Sequence, residues 1–167
     1  MAEIRLRIAQ MGQDDEQKNI VLLVDSRDRQ LPIVIGPCEA AAIARRFISA
    51  ETLPAERRPH SHDLLSNLIQ QLGAKVERVV IDDLWNRTYY ATLHLRRGAR
   101  PLGPPSRPET GLGTEQAITV DARPSDAVAL ALRSEAPIYA SEEVMRKAGE
   151  SEQAEEPPPD RPDLGLP

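Results

Sequence analysis

Two carboxylates, a guanidinium and a hydroxyl lie within one short segment, residues 121–126 (DARPSD), directly before a run of apolar residues. Proline is preset for the first turn of a helix, and serine can accept a hydrogen bond from a free N–H there, so Pro124 and Ser125 predict a helix start. Capping alone would explain the serine and the second aspartate. The first aspartate and the arginine exceed what a cap requires, so this segment is the first candidate for chemistry.

An earlier segment, residues 57–63 (RRPHSHD), repeats the combination of Arg-Pro, Ser and Asp before a second apolar helix. Ser61 is the expected N-cap, and Gly73 suits the position after the helix, where the chain turns left-handed. Helical spacing predicts that one stripe of this helix is buried. The members of that stripe are Leu65, Leu68, Ile69 and Leu72.

The two helix starts permit two kinds of binding chemistry. A helix N-terminus presents free N–H groups and partial positive charge, so with Arg58 or Arg123 beside it each start could hold a phosphate or a carboxylate. Alternatively, a divalent cation could be bound, because hard cations take carboxylate oxygens and imidazole suits softer ones. The residues for such a cation are His62, Asp63, Asp121 and Asp126. The spacing does not choose between these chemistries, and His62 can equally be a surface residue without a ligand.

The charge balance argues against a protein that binds nucleic acid through its overall charge. Of 21 Lys+Arg and 26 Asp+Glu, residues 142–167 contain 3 and 8, which leaves 18 of each in residues 1–141. Phosphate contacts supply most nucleic-acid affinity, so a neutral body must rely on local patches. Candidate patches are Arg45, Arg46, Arg57 and Arg58, and separately Arg96, Arg97, Arg100 and Arg107. The alternative is that these arginines are scattered and solvated.

Cysteine usage and hydropathy bear on the compartment. The single Cys38 excludes an internal disulfide, and we expect it to be a small buried residue. Neither an apolar run long enough to cross a bilayer nor a signal-like N-terminus is present. We therefore expect a cytoplasmic protein without a membrane segment.

Alternating strand and helix patterns predict the elements that must position these residues. Strands are expected at 3–9, 19–24, 31–35, 76–81, 88–96, 117–120 and 137–140. Helices are expected at 37–50 and 64–72, from 124, and after 141, where Ser141 is the expected cap. Pro32 places its strand near a sheet edge, because proline cannot donate to a ladder. The pattern predicts an α+β fold, a mixed and mostly antiparallel sheet with helices packed against it.

Several motifs occur in a fixed order along the chain: residues 31–36 (LPIVIG), Glu39-Ala40, Arg58-Pro59, residues 61–65 (SHDLL) and residues 121–133 (DARPSDAVALALR). Their order and spacing resemble the bifunctional nuclease domain family over residues 1–145. The resemblance implies an α+β domain, often self-associating, in a family named for nuclease activity on DNA and RNA. The matched positions are Gly36, Glu39, Arg58, His62, Asp63, Asp121, Arg123, Ser125 and Asp126.

Two segments depart from that family. A Pro/Gly-rich loop at 98–115 stands where the family usually has a short turn, and residues 149–167 form an acidic, Pro-rich tail instead of an added helical module. A loop this long is either a functional lid or disordered, and we expect disorder. The tail cannot bury enough apolar area to offset its ordering entropy, so it is expected to be disordered too. The domain is predicted to span residues 1–148.

The resulting hypothesis is a metal-assisted nuclease that hydrolyses phosphodiester bonds in DNA or RNA. Its expected metal ligands are Asp63, Asp121 and Asp126, its substrate-binding residues are Arg58, Arg123 and Ser125, and His62 moves the proton. The cofactor would be a divalent ion, Mg, Mn or Zn. The alternative is a non-catalytic regulatory module that binds an anion or a protein at the two helix starts. Exposed strand edges and the resemblance predict a homo-oligomer, most simply a dimer.

Overall fold

The computed structural model describes residues 2–48, 58–98 and 115–151. Within these ranges seven strands form one sheet and four helices pack against it. The strands are β1 (Glu3–Gln13), β2 (Asn19–Val24), β3 (Gln30–Ile35), β4 (Ala74–Trp85), β5 (Thr88–Arg97), β6 (Gln116–Ala122) and β7 (Ile138–Ser141). The helices are α1 (Pro37–Ala44), α2 (Ser61–Gln71), α3 (Pro124–Ser134) and α4 (Glu142–Ser151). Most of the predicted insert and tail lies outside the described residues.

The sheet has the strand order β3-β2-β1-β7-β4-β5-β6. The pairing of β4 with β7 is parallel and every other neighbouring pair is antiparallel, which confirms the predicted mixed α+β class. Pro32 lies on β3, an edge strand, as its missing N–H predicts. The β4–β5 hairpin closes through Asn86 and Arg87, both with positive φ, the backbone that a two-residue hairpin turn requires.

Helix α3 is the most deeply buried helix of the fold. Every residue from Pro124 to Ala131 except Asp126 is buried, and the helix contacts α1, α2, β3, β4 and β5. Its alternating alanines are short, so neighbouring elements can approach closely and pack at normal interior density. The position of α3 therefore fixes where both of its polar ends must lie.

Helix α2 corrects two of the predictions. Leu65, Leu68 and Leu72 are not buried but between 43% and 60% exposed, while Ser66 is the buried residue and Ile69 is half-buried. The helix turns its polar side toward α3 and its leucines outward. Its N-cap is His60 and not Ser61.

On helix α1, the expectation that Cys38 is buried is also wrong, because this residue is exposed.

The turn between β2 and β3 is held by a buried carboxylate. Asp25 Oδ1 accepts hydrogen bonds from the backbone N–H groups of Arg27 and Arg29 at 2.8 and 2.9 Å, and Asp25 Oδ2 accepts one from Arg29 Nε at 2.7 Å. Arg29 Nη1 then reaches Glu142 at the start of α4, at 2.8 Å. Ser141 caps that helix, as predicted, by accepting a hydrogen bond from the Val144 N–H at 3.1 Å.

We predict that Asp25→Ala lowers the free energy of unfolding by about 2–3 kcal/mol, because two backbone N–H groups and one guanidinium lose their acceptor. Urea unfolding followed by circular dichroism measures the change. Asp15→Ala, at an exposed turn position, is the matched control and should change stability by less than about 0.5 kcal/mol. Equal effects of the two substitutions would contradict the assigned role.

The same carboxylate should make stability depend on acid. Burial raises the pKa of Asp25, but the hydrogen bonds from Arg29 and Arg27 outweigh burial, so the pKa lies below the ordinary value of 3.8. Stability from a lowered pKa is fully present above the unfolded value and is lost as pH falls through the folded value. The stability difference between wild type and Asp25→Ala should therefore be constant above the ordinary value of 3.8 and shrink below it. A difference that disappears at neutral pH would overturn this assignment.

Candidate functional site

The start of α3 is not capped by a side chain. Arg123 occupies the N-cap position, Pro124 is the first helical residue, and neither Ser125 nor Asp126 closes on the helix backbone. The Asp126 carboxylate instead accepts hydrogen bonds from Arg123 Nε at 2.7 Å and Arg123 Nη2 at 3.3 Å. Capping therefore does not account for Asp126.

His62 meets the same carboxylate from α2. Its Nε2 lies 2.9 Å from Asp126 Oδ1, across 64 residues of sequence, and its side chain is 16% exposed. An ionised carboxylate only accepts hydrogen bonds, so Nε2 must carry the proton. The other ring nitrogen, Nδ1, has no hydrogen-bond partner in the described parts of the chain and is the atom left for proton transfer. The structure thus brings together two residues that the sequence proposed as catalytic.

The electrostatics of this contact keep the carboxylate charged. Burial raises the pKa of Asp126, but the hydrogen bonds from Arg123 and His62 outweigh burial and hold the pKa below its ordinary value. The Asp126 carboxylate in turn raises the pKa of the Arg123 guanidinium. The arrangement is a carboxylate anion between a fixed cation and the His62 ring, and the hydrogen bond to the carboxylate orients that ring.

Glu39 is a site residue that the sequence analysis matched to the family but assigned no role. It lies in the first turn of α1, is 14% exposed, and its Oε1 is 2.8 Å from Arg123 Nη2. A Cβ atom at Gly36 would overlap the Glu39 carboxylate, so glycine at this position leaves the room that the carboxylate occupies. The only sign of this role in the sequence is an acidic residue two positions after the proline of a Gly-Pro helix start. Acidic residues are common in the first turn of any helix, because they complement the helix dipole.

A cavity of about 340 Å³ opens beside this cluster, and we call it the Arg123 cavity. Edge strand β3, the β4–β5 hairpin and the α3 start enclose it. The residues with polar side chains in its lining are Glu39, Arg87, Thr88, Tyr89, Arg123 and Ser125. Ser125, predicted to bind substrate, therefore lies at a cavity that also presents two guanidinium groups.

Asp63 belongs to a second polar cluster on α2. Its Oδ1 accepts a hydrogen bond from Arg133 Nε at 2.7 Å, and its Oδ2 accepts one from the His60 backbone N–H at 2.9 Å. Arg133 is 4% exposed and also donates to the carbonyl oxygens of Ala42 and Ala129 at 3.2 and 2.9 Å. Asp63 thus ties α2 to the last turn of α3, and Arg133 is a structural residue that sequence reasoning missed.

A second cavity, of about 330 Å³, lies on the other side of Asp63. We call it the Arg58 cavity; its lining includes Arg45, Arg46, Arg58, Pro59, Asp63 and Asn67. Three of the four arginines proposed as a basic patch therefore share one cavity, and Arg57 lies outside the described residues. Arg58 does not join Arg123, so the two Arg-Pro segments meet through His62 and Asp126 rather than through their arginines.

The predicted metal ligands are not gathered. Asp121 lies exposed on β6, opposite Thr92 in the strand register, while Asp63 and Asp126 are each engaged by an arginine. Among the described residues no three His, Cys, Asp or Glu side chains are grouped so that they could hold a metal ion. The donor set does not fit a divalent ion, because a guanidinium at a carboxylate occupies the acceptor positions and adds positive charge.

The family model of the bifunctional nuclease domain matches residues 20–153 of this chain. The chain belongs to the bifunctional nuclease domain family. Two similar proteins are "Uncharacterized protein Rv1829" of Mycobacterium tuberculosis strain H37Rv and "Uncharacterized protein MT1877" of strain CDC 1551. Each is 38% identical over 149 residues, which cover 89% of this chain and 77% of the relative.

Membership in this family agrees with the resemblance seen in the sequence and makes the chain a nuclease-family protein in kind. The matched region contains every residue of the His62, Asp126, Arg123 and Glu39 cluster, as well as Asp63 and Arg133. In the parts of the chain that the structure describes, no helix has the length and apolar character needed to cross a bilayer.

We predict that Arg133→Met lowers the free energy of unfolding by about 3 kcal/mol, because the partly buried Asp63 carboxylate loses its guanidinium partner and the Ala42 carbonyl loses its hydrogen bond from Arg133. Arg97→Met, at an exposed position on β5, is the control and should be close to neutral. Chemical denaturation gives both values.

A double-mutant cycle with Asp63→Asn isolates the pair. We expect a coupling energy of about 1 kcal/mol or more between positions 63 and 133, since the residues share a direct hydrogen bond. Additive effects would show that Arg133 stabilises the fold through its carbonyl contacts alone.

Proposed function

We propose that this protein cleaves phosphodiester bonds of DNA or RNA, with His62 as the proton-transfer residue and Asp126 as the residue that orients it. The observation that carries the proposal is the 2.9 Å contact between His62 Nε2 and Asp126 Oδ1, which leaves Nδ1 for a reacting group. Histidine is the commonest general acid or base, and a carboxylate behind it fixes the tautomer. Family membership supports the nuclease class.

Arg123 is the proposed phosphate-binding residue. Its Nε and Nη2 are held by Asp126 and Glu39, while the side chain as a whole is exposed at the mouth of the Arg123 cavity. A guanidinium fixed by two carboxylates is preorganised, and its remaining N–H groups can stabilise charge that develops on phosphate oxygens. Glu39 and Asp126 act as positioning residues in this scheme.

The proposed chemical step moves one proton. The oxygen of a water molecule, or of a ribose 2′-hydroxyl, attacks the phosphorus atom and gives its proton to His62 Nδ1. The bond from phosphorus to the leaving oxygen breaks, and that oxygen takes the proton from the imidazolium, which returns His62 to its starting form. Asp126 stabilises the imidazolium between these events.

The two cavities support a nucleic-acid substrate despite the neutral charge of the body. The Arg58 cavity is lined by Asp63, the residue next to His62 in the sequence. The Arg123 cavity is lined by Arg123, which binds the same Asp126 carboxylate as His62. A strand that crosses His62 would have arginines on both sides, the local patches on which a neutral protein must rely. We propose that Arg58, Arg45 and Arg46 contact the phosphate backbone of this strand.

A metal is not given a step in this proposal. The residue types in the sequence led to an expected divalent ion at Asp63, Asp121 and Asp126, but among the described residues these carboxylates do not form a shared donor set. The expected cofactor is thus a prediction for the assay to test. We further propose a cytoplasmic location, since the single, exposed Cys38 suits a reducing compartment.

The rival function is a regulatory module that binds an anion without turnover. The observation in its favour is that Glu39 and Asp126 hold the Arg123 guanidinium in place through two ion pairs. A guanidinium fixed in this way can bind an anion even if no bond is cleaved. Both functions predict phosphate binding at Arg123. Only the nuclease requires His62.

The deciding experiment incubates wild type, purified free of contaminating nuclease, with single-stranded DNA and RNA. Parallel reactions contain EDTA, magnesium, manganese or zinc. We expect cleavage that His62→Ala and Asp126→Asn each reduce by about 100-fold or more. Arg123→Lys should weaken substrate binding while the charge remains, because lysine lacks the bidentate fork.

His94→Ala is the matched control, because His94 lies half-buried on β5 and does not share the contact with Asp126 that carries the proposal. Its activity should equal that of wild type, and thermal melts of each variant exclude loss of fold. Oligonucleotide binding without cleavage under any condition would favour the regulatory module. Cleavage that persists in His62→Ala would remove His62 from the mechanism, whatever metal it requires.

A further inference from the structure

The outer side of α2 is an apolar face that the described parts of the chain leave exposed. Leu64, Leu65, Leu68 and Leu72 are all exposed large hydrophobic residues, and we call them the leucine face. Their exposed parts amount to an apolar patch on the order of 300–400 Å², within the range that marks interaction sites on soluble proteins. In most amphipathic helices such a stripe faces the core, so α2 turns outward the side that usually packs against another surface.

The spacing of the face fits another helix. Leu65, Leu68 and Leu72 stand at i, i+3 and i+7, the repeat that packs two helices side by side with interlocking side chains. Asn67, Gln70 and Gln71 are exposed beside them and can form the polar rim of an interface. The partner surface that matches this pattern is an equivalent apolar helix.

The charge pattern favours a second copy of the same chain. From Leu64 to Leu72 the sequence contains no charged residue, although 28% of the whole chain is charged. In a two-fold interface, a residue near the axis lies beside the same residue of the other copy. A charge at the centre of this face would therefore meet a like charge. An uncharged leucine stripe is self-complementary and avoids that repulsion.

We propose that two copies of this chain dimerise by antiparallel packing of α2 on α2 through the leucine face. In this arrangement Leu68 lies near the two-fold axis and Leu65 of one copy packs against Leu72 of the other. The leucines supply about half of the ~800 Å² that each partner buries in a standard interface, and the polar rim supplies more. His62 is not part of the leucine face, because its side chain is only 16% exposed and contacts Asp126 of α3.

Sedimentation velocity of the full chain across nanomolar to high micromolar concentration tests the assembly. Wild type should be dimeric at micromolar concentration. Leu68→Glu should raise the dimer dissociation constant on the order of 100-fold, because a central apolar anchor is replaced by a charge beside its own copy. Val120→Glu, at an exposed apolar position on β6, is the control and should leave the dissociation constant unchanged.

Cross-linking tests the antiparallel geometry independently of any effect on stability. In a Cys38→Ser background, Leu68→Cys should form a disulfide-linked dimer with oxidised glutathione. Leu72→Cys alone should not, but it should cross-link to Leu65→Cys when the two variants are mixed. Circular dichroism and thermal melts show that each variant is folded.

Two results would overturn the proposal: wild type that is monomeric at every concentration, or a dimer that persists in Leu68→Glu. A monomeric wild type in which Leu68→Glu costs much more stability than Val120→Glu would show that the chain covers the face itself. Nuclease activity does not enter these outcomes, so the dimer and the proposed function can fail separately.

Discussion

The burial of α3 is the constraint on which the rest of the structure depends. Ala127, Val128 and Ala129 are completely inaccessible to solvent, and the helix is enclosed by the sheet and by α1 and α2. A helix fixed in this way places its first turn and its last turn with little freedom. Asp126 at one end and Arg133 at the other then provide two polar points that hold α2. The alignment of His62 is therefore a consequence of core packing.

The polar groups at the α3 start bind one another. Arg123 lies between Glu39 and Asp126, and Asp126 lies between Arg123 and His62, so hydrogen-bond donors and acceptors alternate along the chain of contacts. Such a network satisfies most of its own hydrogen-bonding capacity, which limits the cost of partial burial. It also explains why these carboxylates make a poor cation site while the arginine remains able to meet an anion.

Helix α2 uses its two sides in the reverse of the usual way. Its inward side carries His62, Asp63 and the buried Ser66, and its outward side carries the leucines. The inward side can be polar because α3 offers charged partners at the right places, so hydrogen bonds and an ion pair replace apolar burial there. The apolar stripe that normally anchors a helix is then free to serve an interface.

Local patterns in the sequence determined the secondary structure and the fold class. Alternating strands, Pro124 at a helix start and Ser141 as a cap identify nearly every element, because periodicity and capping depend on residues close together in the chain. The motifs also singled out the two helix starts, and the structure brings His62 of one into contact with Asp126 of the other. The ends of the elements were predicted less well. Strand β1 and the two strands of the β4–β5 hairpin are longer than the alternation of apolar residues indicated, because hydrogen bonding to neighbouring strands extends a strand beyond its alternating segment.

Only the tertiary structure decided which side chains meet. Asp126 binds His62 and Arg123 rather than a helix cap, Asp63 binds Arg133, and Asp121 stays apart on β6, although all three aspartates looked alike in sequence. The sequence also did not predict the orientation of α2. An amphipathic pattern indicates that a helix has an apolar and a polar side, but the tertiary contacts decide which side faces the core. These outcomes depend on contacts across 64 and 70 residues, where the energies of packing and pairing outweigh any local preference.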